Sequence, residues 1–523
     1  MYTTTIWDEW LTQELKNYVE IYDKKSDSYK KRYLKKGYLH FDERFWLPQR
    51  KKELRSLLEN NLVSYNKITK KKEYWSFSPF LKILLKTPRY KYQEDEGVYD
   101  LETKIRPICF ASHIDSLIFG FYGFALTKVY EKYIKDHVFD ECVLAYRSDL
   151  GKCNIQFAKE VIDEVRSRKE CGTIALDIKG YFDNIDHVIL KEKWAKVLGE
   201  KIPFDQYKLY KVLTEYSYVV KSHIYRHFKI IKQRQAIDPR TLLDFVPAQR
   251  RYEQFNILRE HNLIVVNRRN KIGIREKGIP QGSALSALLS NIYLIDFDEM
   301  MSRKAKAEGF VYRRYCDDIL IICSIQDVDR LKSFTIDSIK SDYLLNIQDK
   351  KVETIVFKSN IKGKIRAFSH KKLVDNARPI TSKNEQRFYK SLQYLGFEFN
   401  GQDIFIRSSS VSRYYRKLKA RVSKTVAMAY GKKGKADQIF KEKLLHRYTH
   451  LGKRNFLKYA YNAAGCTYIN AQGETKDGLC APSIKKQVSR HMNILINVLL
   501  TKNEQRTHLK RAKNQFIEHK RVL

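Results

Sequence analysis

Two adjacent aspartates set inside an apolar stretch constrain the fold of this 523-residue chain more than any other feature. In residues 310–325, FVYRRYCDDILIICSI, apolar arms stand on both sides of Asp317 and Asp318. That pattern predicts a β-hairpin with both carboxylates at its tip. A solvated turn would explain a lone Asp-Asp pair, but not one embedded between buried strands. A second short apolar run, TIALDI at 173–178, carries Asp177 at its end and reads as another buried strand. Between them, residues 283–297 (SALSALLSNIYLIDF) follow a glycine and place apolar residues at helical spacing. Residues 394–399 with Gly401 form a further strand and turn. Strand, helix, hairpin and strand in this order predict an α+β fold built on a split βαβ unit.

Carboxylates brought together by neighbouring strands repel one another unless a cation joins them. Mg²⁺ takes hard oxygen ligands and keeps its other positions for water and phosphate oxygens. Two such ions, roughly 3.5–4 Å apart, can stabilise both the attacking and the leaving oxygen of a phosphoryl transfer. Asp177, Asp317 and Asp318 are therefore candidate catalytic and metal-binding residues for two Mg²⁺, with Mn²⁺ a possible substitute. Ile178, next to Asp177, is counted among the metal-binding positions.

Charge indicates the partner. One hundred Lys and Arg stand against sixty Asp and Glu, a net charge of +40. Self-repulsion of that size is relieved by a polyanion, and nucleic acid is the usual one. Residues 401–523 alone hold 27 Lys and Arg against 7 Asp and Glu, half of the surplus in under a quarter of the chain. The competing reading is a soluble basic surface of a ribosome-like or chaperone-like protein. Apolar runs such as 117–126 and 494–500 fall far short of the roughly 20 residues a membrane span needs. The N-terminus MYTTTIWDEW has neither a basic nor an apolar leader segment, so a cytoplasmic protein without a membrane partner is expected.

The eight cysteines form no CxxC pair, which removes zinc-ribbon and thioredoxin readings and predicts free thiols in a reducing compartment. His223/His227 and His446/His450 share i,i+4 spacing without a nearby Cys or the Glu of HExxH, and read as solvated helix surface. Residues 1–100, rich in Lys, Tyr and Trp, read as a basic, largely helical N-terminal region. Beyond Ser408 the chain reads as helical and basic, interrupted at 431–434 (GKKG) and by a polar loop at 470–482. The glycine-lysine break is either a phosphate-touching loop or a solvated turn.

LDIKGYFDNIDH (176–187), GIPQGSALSALLSNIYL (278–294), YRRYCDDILII (312–322) and YLGFEF (394–399) resemble, in order, the successive motifs of reverse transcriptases. The likeness runs over roughly 104–400 and is greatest to the bacterial enzymes of the retron, abortive-infection and defense-associated groups. It implies a right-hand polymerase: fingers at 101–175, a split-βαβ palm at 176–400 with a basic and aromatic insertion at about 200–277, and a thumb-like helical domain at 401–523. Asp177 and Asp317 would hold both metals, with Asp318 an accessory acid. Phe182, five positions after the first aspartate, would be the sugar gate that favours dNTPs over ribonucleotides. Gln281 and Gly282 would lie against template and incoming base, the glycine allowing close backbone approach. Lys104 and Arg106, in TKIRPI, would grip the triphosphate. Tyr394, Leu395 and Gly396 would support the primer end, with Tyr315 a further primer or template contact. The lysine expected after the hairpin is Lys350 or Lys351, and Lys351 is taken as the template-side candidate.

Aromatic residues interleaved with cations in the C-terminal region suit a nucleic-acid grip, and Lys417, Lys419, Arg421 and Lys424 are candidate RNA contacts. The implied activity is RNA-directed DNA synthesis, making cDNA from dNTPs on a dedicated noncoding RNA in antiphage defense. The alternative is a template-independent, possibly protein-primed, deoxynucleotide polymerase of an abortive-infection system. An RNA-dependent RNA polymerase is disfavoured by Phe182, and a binding scaffold with a dead core by the intact acids. A homo-oligomer sharing one RNA is a further expectation.

Overall fold

A computed structural model describes residues 2–522 except 17, 24–27, 34–36, 67–70, 94–97, 231–238, 268–275, 377–378, 432–437 and 453–454. The N-terminal region is mixed rather than largely helical. Helices α1 (Thr4–Leu15) and α2 (Leu47–Glu59) alternate with the hairpins β1 (Tyr18–Asp23)–β2 (Ser28–Tyr33) and β3 (Val63–Asn66)–β4 (Lys71–Tyr74). A long ribbon of β5 (Phe80–Gln93) and β6 (Val98–Phe110) follows. Tyrosine, phenylalanine and isoleucine suit a pleated surface, and a Lys- and Tyr-rich composition alone does not separate such a ribbon from a helix.

Helices α3 (His113–Asp136) and α4 (Asn154–Arg168) lead into β7 (Cys171–Asp177). Then come α5 (Tyr181–Asn184), α6 (His187–Leu198), α7 (Phe204–Thr214), β8 (Ser217–Val220), α8 (Lys221–His227), a helix Arg251–Glu260 and β9 (Ile264–Val266). Helices Ala284–Tyr293 and Ile295–Glu308 precede the predicted hairpin, β10 (Val311–Tyr315) and β11 (Asp318–Cys323). After a helix Val328–Tyr343, β12 (Glu353–Ser359) and β13 (Ile365–Ser369) complete a sheet of order β10-β11-β7-β12-β13, each neighbouring pair antiparallel. β7 and β10, joined by helices, are separated in the sheet by β11, the split βαβ order expected from the sequence.

Period-two alternation sends successive residues of β11 to opposite faces. Ile319 and Ile321 join Ile174, Leu176 and the helical core around Phe121, Leu289 and Phe297. Leu320 and Ile322 join Ile355, Phe357, α4 and C-terminal residues such as Leu418, Val422 and Ile484. Both faces are covered, which is why these strands read as unbroken apolar runs.

The stretch at 200–277 extends the ribbon: β8 pairs parallel to β5 and antiparallel to β9, in the order β6-β5-β8-β9. Val219, Leu242, Phe245 and Leu258 form a separate small core with Phe41 and Leu81. Part of the basic and aromatic stretch 229–255, and most of the GKKG break, lie outside the described residues.

Beyond them, β14 (Leu392–Tyr394), β15 (Phe397–Phe399) and β16 (Ile404–Ile406) form a three-stranded sheet. A helix Ser408–Ala429 and shorter helices follow, with a hairpin β17 (Thr467–Ile469)–β18 (Thr475–Asp477) inside the expected polar loop. That hairpin brings Cys466 and Cys480 into a disulfide, correcting the expectation that every thiol is free. A search for CxxC spacing does not see a pair closed by a 14-residue hairpin. The other six cysteines are free. His450 stands beyond the helix Glu442–Tyr448 that carries His446, and contacts the buried His491 at 3.2 Å rather than sharing a helix face. Among the described residues no helix is long and apolar enough to cross a membrane.

Candidate active site

The register of β7 on β11 sets Asp177 opposite Asp318, while Asp318 also faces Tyr315 across the hairpin. The turn at Cys316 and Asp317 is tight, with Cys316 in the left-handed region at φ 59°. The end of β7 is pinned from both sides: the Ile178 amide donates to the Asp317 carbonyl (3.1 Å) and the Gln348 amide to the Asp177 carbonyl (2.9 Å). Beneath the turn lies a buried ion pair. Arg314 Nε donates to Asp298 Oδ1 at 2.7 Å and its Nη2 to the other carboxylate oxygen. Tyr312 donates to Asp298 at 2.7 Å, and Arg314 Nη1 to the Cys316 carbonyl at 3.1 Å. A buried pair is held when its remaining donors and acceptors are met; here it ties the acidic turn to the helix Ile295–Glu308. The signal missed in the sequence was an arginine at the buried phase of a strand's alternation.

The electrostatics are those of crowded acids. Burial raises the Asp317 carboxyl above its ordinary value, Asp177 adds to the rise, and Lys351 and Lys104 oppose it. Asp318 is pushed up to about 6, first by burial, then by Asp317 and Asp177, against the opposing charges of Arg407 and Lys351. Lys351 Nζ sits 2.6 Å from Asp177 Oδ2 and so reaches the acids; the Lys350 side chain lies outside the described residues.

Among the described residues no three His, Cys, Asp or Glu side chains gather closely enough to enclose a metal. Asp317 sits in the turn and Asp318 at the start of β11, and the charge of Asp177 reaches both carboxyls. The donor set still suits a hard divalent cation: carboxylates raised by burial and mutual repulsion are relieved when a cation joins them.

Of the other expected residues, Lys104 lies within electrostatic reach of Asp317 and Tyr394 within that of Asp318. Phe182 lies on α5, which begins at Gly180 in the left-handed region; its carbonyl accepts from the Ile279 amide at 2.9 Å. Its ring is half-buried at the margin of the large core, 5.9 Å from the Tyr181 ring. Gly282, at φ 123°, is explained by the protein itself. A Cβ there would come 2.7 Å from the Cys109 carbonyl, while the Gln281 carbonyl accepts from the Cys109 amide at 2.8 Å. The glycine lets this loop close against β6. Lys104 and Arg106 share one face of that strand; the charge of Lys104 reaches Asp317, and Arg106 is exposed.

On the other side, Tyr394 buries a hydroxyl without a hydrogen-bond partner among the described residues. Burial raises that phenol, and the Asp318 charge reaches it too. Leu395 and Gly396 make the turn at φ 43° and 95°; Asn154 donates to the Leu395 carbonyl at 2.9 Å. The Arg407 amide donates to the Gly396 carbonyl at 2.9 Å, and its Nε is a second buried group without a partner among the described residues. Arg407 and Asn154 were not foreseen, because distant segments bring them here and no local pattern marks them. Tyr315 is half-buried, its ring edge-on to Phe157 at 6.2 Å.

Lys417, Lys419 and Lys424 are exposed and Arg421 half-buried on the helix Ser408–Ala429, opposite its buried stripe of Tyr414, Leu418, Val422 and Val426. Among the described residues none of these four cations is in an ion pair of 4.0 Å or less.

Residues 204–399 match the family model described as reverse transcriptase (RNA-dependent DNA polymerase). The matched segment takes in Gln281, Gly282, Asp317, Asp318, Lys351 and the 394–396 turn, and begins after Asp177. Comparison with curated proteins gives no match. Among solved structures, the chain is similar to telomerase from Candida albicans in complex with a TWJ fragment of telomeric RNA, at 12% identity over 89% of this chain and 60% of that one, TM-score 0.35. It is similar to apo telomerase from Candida Tropicalis at 10% identity over 72% of this chain and 56% of that one, TM-score 0.34. The chain thus spans 60% or less of the length of these telomerase chains. On the family match, the chain carries a reverse transcriptase domain, the domain of an RNA-directed DNA polymerase.

Proposed function

We propose that this chain copies a partner noncoding RNA into cDNA from dNTPs, by two-metal nucleotidyl transfer, in antiphage defense. The observation that carries the chemistry is the strand register that sets Asp177 opposite Asp318 with Asp317 in the adjoining turn. In this reading the five-stranded sheet is the palm, the β5–β6 ribbon with α3 the fingers, and the helices from Ser408 onward the thumb. Asp177 and Asp317 hold Mg²⁺, with Asp318 beside them. The ions supply charge stabilisation for the attacking and leaving oxygens. Lys351 neutralises Asp177, Lys104 and Arg106 bind the triphosphate, and the Phe182 ring packs beneath the sugar. The 394–396 turn holds the primer end. The defense role and the dedicated RNA rest on the motifs' likeness to retron and defense-associated enzymes alone.

The test is incorporation of labelled dNTPs by the purified chain, with its co-purifying RNA intact or digested. Asp177→Ala, and Asp317→Ala with Asp318→Ala, are expected to lose incorporation by about 10³-fold or more while circular dichroism is unchanged. Activity retained in the double variant sinks the assignment. Equal incorporation after RNA digestion sinks templated synthesis in favour of the untemplated alternative.

A further inference from the structure

A cavity of about 410 Å³ opens between residues 74–80 and the edge formed by α7 and the start of β8. None of its lining residues has a place in the chemistry proposed above. We infer that this cavity binds an unpaired base of single-stranded RNA, with its backbone phosphate beside Lys208.

Three observations converge on that ligand. First, the walls are aromatic. Tyr74, Trp75, Phe77 and Tyr216 line the cavity, and Phe204 continues it outward with its ring 5.1 Å from that of Tyr74. Six aromatic side chains with large exposure occur among the described residues, and three of them, Tyr74, Phe204 and Tyr207, cluster here. Exposed rings in one patch are unfavourable in water unless something stacks on them, and every base presents a π-face.

Second, the charge suits a phosphate. Lys208 Nζ lies 4.5 Å from the Tyr74 ring centre, and Lys191 Nζ 5.1 Å from that of Tyr207. Among the described residues no carboxylate pairs with Lys208, whereas the acid lining the cavity, Glu215, is held by Lys211. Burial lowers the Lys208 ammonium, with no acid offsetting it. An arriving phosphate would be the first anion it meets. Hydroxyls of Ser76 and Ser217 line the same space, the donor-acceptor groups that read base edges.

Third, the cavity is preformed. Trp75 Nε1 and the Ser78 amide both donate to the buried Asp115 carboxyl, at 2.8 and 3.0 Å. Asp115 sits in the first turn of α3, so the wall segment is fixed to a long core helix. The opposite wall, Tyr216, is within electrostatic reach of Asp183 and Cys109. Asp183 adjoins Phe182 and Cys109 contacts the Gly282 loop, so this wall of the cavity borders the segments that carry Phe182 and Gly282. Its volume falls within the roughly 300–1,000 Å³ range of small-ligand sites.

The inference rests on the proposed function only in taking RNA as the ligand. The probe is a 12-nucleotide single-stranded RNA carrying 2-aminopurine, whose fluorescence is quenched on stacking, titrated against the full chain. A blunt RNA–DNA duplex of equal length is the control. Tyr74→Ala with Phe204→Ala, and separately Lys208→Gln, change exposed or half-exposed side chains. The aromatic pair is expected to weaken single-strand binding about tenfold or more and abolish the quench, with duplex affinity within about twofold of the parent. Lys208→Gln should weaken single-strand binding while leaving the quench at saturation. Unchanged single-strand affinity, or an equal loss on the duplex, overturns the site. Wild-type quenching without dNTP incorporation would sink the polymerase reading and leave the site standing; incorporation without quenching would sink the site alone.

Discussion

Arg314 brings a full charge into the interior at 0% exposure, and the turn that presents Asp317 and Asp318 hangs on it. Arg314→Ala strands Asp298 as a buried carboxylate, and removing one partner of a buried pair costs roughly 3–5 kcal/mol. Urea unfolding should show a loss in that range; a change under about 1 kcal/mol would mean that water reaches Asp298. A second buried group makes stability depend on pH. His40 donates from Nε2 to the Phe110 carbonyl (3.0 Å) and accepts at Nδ1 from the Phe41 amide (2.8 Å), an arrangement only the neutral ring satisfies. Burial lowers it from 6.5 to about 4, with Asp42 opposing. Below pH 6.5 the unfolded chain therefore takes up a proton that the fold refuses until about pH 4. The stabilisation is complete above 6.5 and falls as pH drops toward 4, by roughly 3 kcal/mol in all. The melting temperature should fall through this window, and less so in His40→Gln, which keeps a donor and an acceptor without the titration. Parallel profiles for the two proteins would refute it. At this scale the acids were legible because buried strands have no structural use for unpaired carboxylates. Asn154 and Arg407 were not, since their place depends on tertiary contacts between distant segments. Gly282 was legible as a special position, but its contact with the Cys109 carbonyl, which a Cβ would strike, depends on tertiary packing that the motif does not show.

Among the elements, the hairpin β10–β11 and the strand β7 followed directly from their unbroken apolar runs, and the helix Ala284–Tyr293 between them from its spacing. The β5–β6 ribbon did not, because it is amphiphilic in a way that a helix can imitate: cations and apolar residues are mixed at both periods. Its register puts Lys104 and Arg106 on one face, with Ile105 and Leu101 exposed on the other. A ribbon held at its base by Gly282 against Cys109 can carry those two cations over the acids without either side chain helping to pack the core. Lys104→Ala with Arg106→Ala should accordingly raise KM for dNTPs about tenfold, the size of one or two lost charge-assisted hydrogen bonds, and leave the melting temperature within about 2 °C. A fall in kcat with KM unchanged would place these residues at the transferring phosphate instead.

At the scale of the molecule, the central sheet is shared by two cores, one built with α3, α6 and the helix Ala284–Tyr293, the other with α4 and the C-terminal helices. Removing residues 409–523 would strip the second core from Leu320, Ile322 and Phe357, so point substitutions rather than truncation must probe the basic C-terminal region. Composition located that region, where half of the surplus charge lies, but could not show that its helices also seal the sheet. The two duties separate by face on the helix Ser408–Ala429: Leu418, Val422 and Val426 are buried, while Lys417, Lys419 and Lys424 are exposed and Arg421 half-buried. Replacing these four cations with glutamine should therefore spare the fold. If they contact phosphates, each released contact lowers the slope of log affinity against log salt by about 0.7–0.9, so the full set lowers it by about 3. Fluorescence anisotropy with the co-purifying RNA between about 50 and 200 mM salt measures this, against a parent whose affinity falls about 10³-fold or more over that range if six or more phosphates are neutralised. Incorporation of dNTPs at saturating RNA should be unaffected, because none of the four touches the acidic turn. A slope equal to the parent's would assign the RNA grip to other cations and leave this face of the helix for contact between copies of the chain, which light scattering with and without RNase would then reveal.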